Sequence, residues 1–177
     1  MRDKINKKLY KAVKANDITA VLEALTEGAN PDQYYTTKNG DEYFPLLLAI
    51  GNGNKEMVQL LITHGANVST EGGVGFNLAA RYGDLSIVEC LIDHKILEGP
   101  FGTPLQSLGL SITEAAIHNH LDVVKYLFEQ GIAMPINKDR MLEICQSEGL
   151  HDMLEYFKVT HGVNIGAIKK PAAPTYG

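Results

Sequence analysis

A seventeen-residue template recurs five times along this chain, and no other feature restricts its fold as much. Ala49–Gly65, Ala79–Lys95 and Ala115–Gly131 align without a gap, and fainter copies run from Ala12 to Gly28 and from Cys145 to His161. A small residue opens each copy: Ala12, Ala49, Ala79, Ala115, Cys145. Four positions on stands a Gly or Asn (Asn16, Gly53, Gly83, Asn119, Gly149), and five further on an aliphatic (Val21, Val58, Val88, Val124, Leu154). Three beyond that are Ala24, Leu61, Leu91, Leu127 and Phe157. The copies are spaced by 37, 30, 36 and 30 residues. Columns kept in register this way mark a chain built by repetition.

The columns have a physical reading. Ala allows close packing near the end of one helix, and the Gly or Asn accepts the left-handed turn that stops it. A second helix then carries apolar residues at positions such as Met57, Val58, Leu61 and Ile62, which make a wide apolar stripe. Gly28-Ala29-Asn30 and Gly65-Ala66-Asn67 close that helix and lead into an extended turn. A unit of two short helices cannot bury its own stripe, so the units must stack.

These residues resemble the ankyrin repeat over roughly residues 5 to 162. Phe44-Pro45-Leu46-Leu47-Leu48-Ala49 is similar to that family's Thr-Pro-Leu-His-x-Ala opening, and Gly65-Ala66-Asn67-Val68 to its Gly-Ala-Asp-x-Asn close. The resemblance implies an all-α solenoid of about five helix-turn-helix repeats with short hairpin fingers, drawn as an L-shaped stack. Its units are placed at about 5–32, 41–68, 72–98, 110–133 and 139–162. The first and last are degenerate caps, and a flexible tail follows over 163–177. The family's usual work, binding other proteins, is the function it implies. The opening Pro is kept only at Pro45, where the other copies have Lys8, Gly75, Ser111 and Met141. The two long spacings place insertions at about 31–43 and 96–110, the second containing Phe101 and Thr103-Pro104-Leu105.

Composition removes several classes. Apolar residues at 45% and charged residues at 21% fit a globular chain, not a disordered one. Sixteen basic against twenty-one acidic residues give a net charge of −5, the wrong sign for gripping phosphate backbones, so no nucleic-acid partner is expected. Two cysteines suggest a reducing compartment, and the charged start lacks a signal-like apolar core. No apolar run approaches a membrane span. The expected location is cytoplasmic, or the host cytosol for a secreted effector.

No enzyme, cofactor or metal site is expected. His64 and His94 share a column just before the end of a second helix, where an imidazole suits the helix dipole. His118 and His120 flank Asn119, itself in the inter-helix turn column, so they are expected to point apart. Gly72-Gly73-Val74-Gly75 lacks the Lys-Ser/Thr of a phosphate loop and reads as a turn in a finger. Cys90 and Cys145 occupy core columns.

What remains is surface. In stacks of the resembled family, the two residues before the inter-helix turn face the concave groove, as do the finger tips. Column by column these are Lys14 and Ala15, Gly51 and Asn52, Arg81 and Tyr82, Ile117 and His118, Ser147 and Glu148. The first insertion adds Tyr34, Tyr35, Tyr43 and Phe44, and aromatics and Arg are common interface anchors. The candidate partner-binding set is therefore Tyr34, Tyr35, Tyr43, Asn52, Arg81, Tyr82 and His118. The competing reading is that the aromatics fold back over units one and two. At the level of function, an adaptor or inhibitor, an interaction domain of a secreted bacterial effector, and a self-associating scaffold all stay open.

Overall fold

A computed structural model describes residues 2–94 and 108–167. Among them are ten α-helices: α1 (Arg2–Lys14), α2 (Ile18–Thr26), α3 (Pro45–Gly51), α4 (Lys55–Thr63), α5 (Thr70–Tyr82), α6 (Leu85–Asp93), α7 (Gly109–Ile117), α8 (Leu121–Glu129), α9 (Lys138–Ser147) and α10 (His151–His161). They pair in sequence as five helix-turn-helix units, and the pairs stack. The odd-numbered helices form one row, each packed on the next, and α2, α4, α6 and α8 form a second. This is the all-α stack that the repeat demands.

One turn closes every unit. Asn16, Gly53, Gly83, Asn119 and Gly149 all have positive φ, between 57° and 71°. In each, the amide of the following residue donates to the carbonyl of the small column residue. The pairs are Asp17 to Ala12 (3.0 Å), Asn54 to Ala49 (3.3 Å), Asp84 to Ala79 (3.1 Å), His120 to Ala115 (2.8 Å) and Leu150 to Cys145 (2.9 Å). This is the bonding of a Schellman cap, and it needs a residue that tolerates the left-handed region. In the first three units the same following residue also starts the next helix. The carboxylate of Asp17, the amide oxygen of Asn54 and the carboxylate of Asp84 accept from Ala20, Met57 and Ile87 N–H groups.

The core follows the columns. All five small residues, the five aliphatics and the five residues beyond them are buried. They form one continuous cluster running through all five units. Between units, Ser111 Oγ donates to Asn77 Oδ1 at 2.6 Å and Asn54 Nδ2 to Asn16 Oδ1 at 2.8 Å, so polar contacts also fix the stacking.

The first insertion is an ordered finger. Strands β1 (Tyr35–Thr36) and β2 (Glu42–Tyr43) pair antiparallel, with Tyr35 opposite Tyr43 and Thr36 opposite Glu42. Thr37 N–H donates to Asp41 O at 2.8 Å and Gly40 turns with φ of 88°, closing the tip. Phe44 then lies extended and Pro45 opens α3, the place where a missing N–H costs nothing. Residues 96–107 of the second insertion, including Thr103-Pro104-Leu105, lie outside the described residues; Leu108 is buried and leads directly into α7.

Two expectations need correction. Gly73, Val74 and Gly75 lie inside α5 and not in a finger. Gly75 sits where a Cβ would come within 2.9 Å of Ile50 Cδ1 and 3.1 Å of Leu47 Cδ2, so glycine there lets α5 press against α3. The tail expected from residue 163 begins as packed chain, because Val163 and Ile165 lie against the core and Val163 N–H donates to Phe157 O. Residues 168–177 lie outside the described residues.

Candidate partner-binding surface

The inter-helix turns hold a row of side chains at the ends of the odd-numbered helices. Lys14, Ala15, Gly51, Asn52, Arg81, Tyr82, His118, Ser147 and Glu148 are exposed, and Ile117 is half-buried. Tyr82 presents 58% of its surface to solvent. Its backbone is held firmly: His120 Nε2 lies 2.9 Å from Arg81 O, and the His120 ring covers Gly83. The Arg81-Tyr82 pair is thus an exposed pair of side chains on a backbone held by the next unit.

Asn52 and His118 are less free. Asn52 Nδ2 donates to Val13 O of the preceding unit at 3.1 Å, so part of its polar capacity already joins units. His118 Nδ1 lies 2.9 Å from Glu114 O. His64 and His94 make the same contact, with Leu60 O at 2.9 Å and Cys90 O at 2.8 Å. In each case the carbonyl four residues back already accepts the histidine's own backbone N–H, so the Nδ1–H adds a second bond to the same oxygen and ties the ring to the last turn. His118 and His120 do not point apart as expected. Their rings lie nearly parallel, 5° between planes, with centroids 6.5 Å apart, because His120 turns toward Arg81 O of the neighbouring unit. Among the described residues no group of three His, Cys, Asp or Glu side chains is placed to hold a metal ion.

The finger divides its aromatics between packing and exposure. Tyr35 stacks on buried Tyr10 of α1, centroids 4.2 Å apart at 15°, and Lys7 Nζ lies 5.9 Å from the Tyr35 ring centre. Tyr43 tilts against Tyr10 at 5.9 Å, and Tyr34 against Phe44 at 5.6 Å. Tyr34 and Tyr43 still expose 43% and 36% of their surfaces. Tyr35 therefore anchors the finger to unit one, while Tyr34 and Tyr43 are presented.

Five exposed aliphatic side chains escaped the sequence reading (Leu22, Val74, Leu110, Ile136 and Val159), and two of them, Val74 of α5 and Leu110 of α7, share a column. Both stand five positions before the small column residue, where the other units have Lys7, Phe44 and Arg140. An apolar residue in a column that is charged in both end units was the signal that could have found them.

Neither cysteine reaches this surface. Cys90 and Cys145 are buried; burial raises the Cys90 thiol and pushes that of Cys145 up to about 11. Burial likewise lowers His161, which rests on Phe128 with centroids 4.1 Å apart.

A family model for ankyrin repeats, three copies, matches residues 9–99, just over half of the chain. The chain belongs to the ankyrin-repeat family. Its geometry continues past the matched span, since α7–α8 and α9–α10 repeat the same turn, the same cap bonds and the same buried columns. Ankyrin repeats are generally protein–protein interaction modules, and the family is typically non-enzymatic. Among the described residues no helix is long and apolar enough to cross a membrane.

Proposed function

We propose that this ankyrin stack is a cytoplasmic protein-binding module, acting as an adaptor or as an inhibitor that occupies a partner's surface. Its binding surface is the row of inter-helix turns carrying Asn52, Arg81, Tyr82 and His118, together with the finger side chains Tyr34 and Tyr43. Tyr35 contributes by holding the finger in place. The observation that carries this reading is the exposure of Tyr82 beside Arg81 on a backbone pinned by His120. A large amphipathic ring and a guanidinium on a rigid base lose little freedom on binding, which is what makes such residues effective anchors. Exposed Val74 and Leu110 add apolar area on the same row of helices.

The test is affinity capture from the native cell type with the intact protein and with an Arg81→Ala, Tyr82→Ala variant of equal circular dichroism. A partner held by the intact protein and lost by the variant is the expected outcome. A partner held equally by both moves the site away from these turns.

A further inference from the structure

Helix α1 carries a charge of the opposite sign to the rest of the chain. It holds six basic residues against one acidic one, leaving ten basic against twenty acidic residues elsewhere. Lys4, Lys7, Lys11 and Lys14 are exposed. Lys8 is spent internally, reaching Glu27 at 2.7 Å and Glu23 at 3.4 Å. Lys7 and Lys14 lean over the rings of Tyr35 and Tyr10. Lys4 and Lys11 make no ion pair or hydrogen bond with any described residue.

Four of these lysines line an open groove of about 430 Å³ beside α1. Lys4, Lys7, Lys8 and Lys11 line it together with Ala12, Ala15 and Ala20. The acidic group at its end, Asp17, already accepts from Ala20 N–H as the cap of α2. An end cap needs only polarity on its outer face. A groove lined by alanines and by Lys4 and Lys11, whose charges are unpaired within the described residues, goes further.

We propose that this end face, which shares Ala15 with the first inter-helix turn but none of Asn52, Arg81, Tyr82 or His118, is a second interaction surface, and that its occupant is an acidic amphipathic helix of a protein partner. Lys4 and Lys11, which have no partner among the described residues, stand seven positions apart on one face of α1, so their ammonium groups mark a line of roughly 10 Å along it. Glutamates at every third or fourth position of a second helix match that line, and the alanines lining the groove let its small apolar side chains approach closely. A nucleic acid fits the charges less well, because a polyanion longer than α1 would run onto a surface dominated by carboxylates. A lipid surface fits less well too, since the large exposed apolar side chains lie elsewhere and α1 offers none for insertion.

The test uses a labelled helical peptide of Ala and Leu with Glu at every third or fourth position, about as long as α1, and a control peptide with Gln in place of Glu. Titrations compare the intact protein with a Lys4→Glu, Lys11→Glu variant, whose substitutions break no internal contact and keep helix propensity. Binding by the intact protein at about 50 mM salt, weakened at least roughly tenfold by the variant, by the Gln peptide and by about 300 mM salt, is expected. No binding at low salt, or equal binding by the variant, overturns the proposal. So does tighter binding of single-stranded RNA or phosphatidylserine vesicles that the variant loses, which would make the face a general polyanion surface. A salt-sensitive dimer in sedimentation that the variant abolishes would identify a second copy as the occupant and overturn it as well. Failure here leaves the Tyr82 surface untouched, because neither Lys4 nor Lys11 belongs to it.

Discussion

Gly83 shows how much one position in the turn column decides. It has φ of 71°, and a Cβ there would collide with the His120 ring that bonds Arg81 O. Gly83→Ala adds left-handed strain of about 1–2 kcal/mol and displaces an inter-unit contact. We expect a loss of stability above that strain alone, read from urea unfolding, and larger than for Gly53→Ala, where the nearest atom is Asp84 Oδ2 at 3.7 Å. Cys145 supports a prediction with a sign. Its folded thiol is held at about 11, above its ordinary value of 9.0, so above pH 9 the unfolded chain gives up a proton that the folded one keeps. This thiol leaves stability unchanged well below pH 9 and lowers it as pH rises toward 11, with a slope of up to about 1.4 kcal/mol per pH unit. Cys145→Ala installs the residue that four other units carry, so the fold should persist while this part of the alkaline decline disappears. Comparing the two unfolding curves at pH 8 and pH 10.5 checks it. The turn and core columns were legible in sequence because left-handed φ and close packing admit few residue types. The orientation of His120 was not, since its partner, Arg81 O, is 39 positions away.

At the scale of elements, the finger is the feature that sequence left undecided. Its position was plain from the long spacing between the first two units, but whether its aromatics packed or protruded depended on Tyr10, a residue of another unit. The structure divides them: Tyr35 stacks and Tyr34 and Tyr43 remain exposed. Tyr35→Ala should remove an aromatic pair worth about 0.5–1.5 kcal/mol. Amide exchange over residues 34–43 should then accelerate while α3 and α4 stay protected; unchanged exchange would show that the strands hold without the ring. Helix α5 was misread for a related reason. Three glycines argue against a helix by propensity, and the closeness of α5 to α3 that makes Gly75 useful is invisible along the chain.

Across the whole molecule, the core is a run of interfaces between neighbours, with no central mass. Removing residues 133–177 would strip Met141, Cys145, Met153, Leu154 and Phe157 from the end of the cluster and leave the side of α7 and α8 that they cover facing water. We expect a lowered urea midpoint and new binding of an apolar dye, with far-UV helicity of the remaining units largely retained. A truncated chain with an unaltered midpoint would mean that the last unit contributes no stacking energy. The five closed turns carry one more consequence. Within a unit the count of residues never varies, whereas the finger between units one and two already accommodates extra length without disturbing α1 or α3. The tip between Thr37 and Gly40 is therefore a natural grafting port, where a foreign peptide or label could be spliced in and displayed on an unaltered frame.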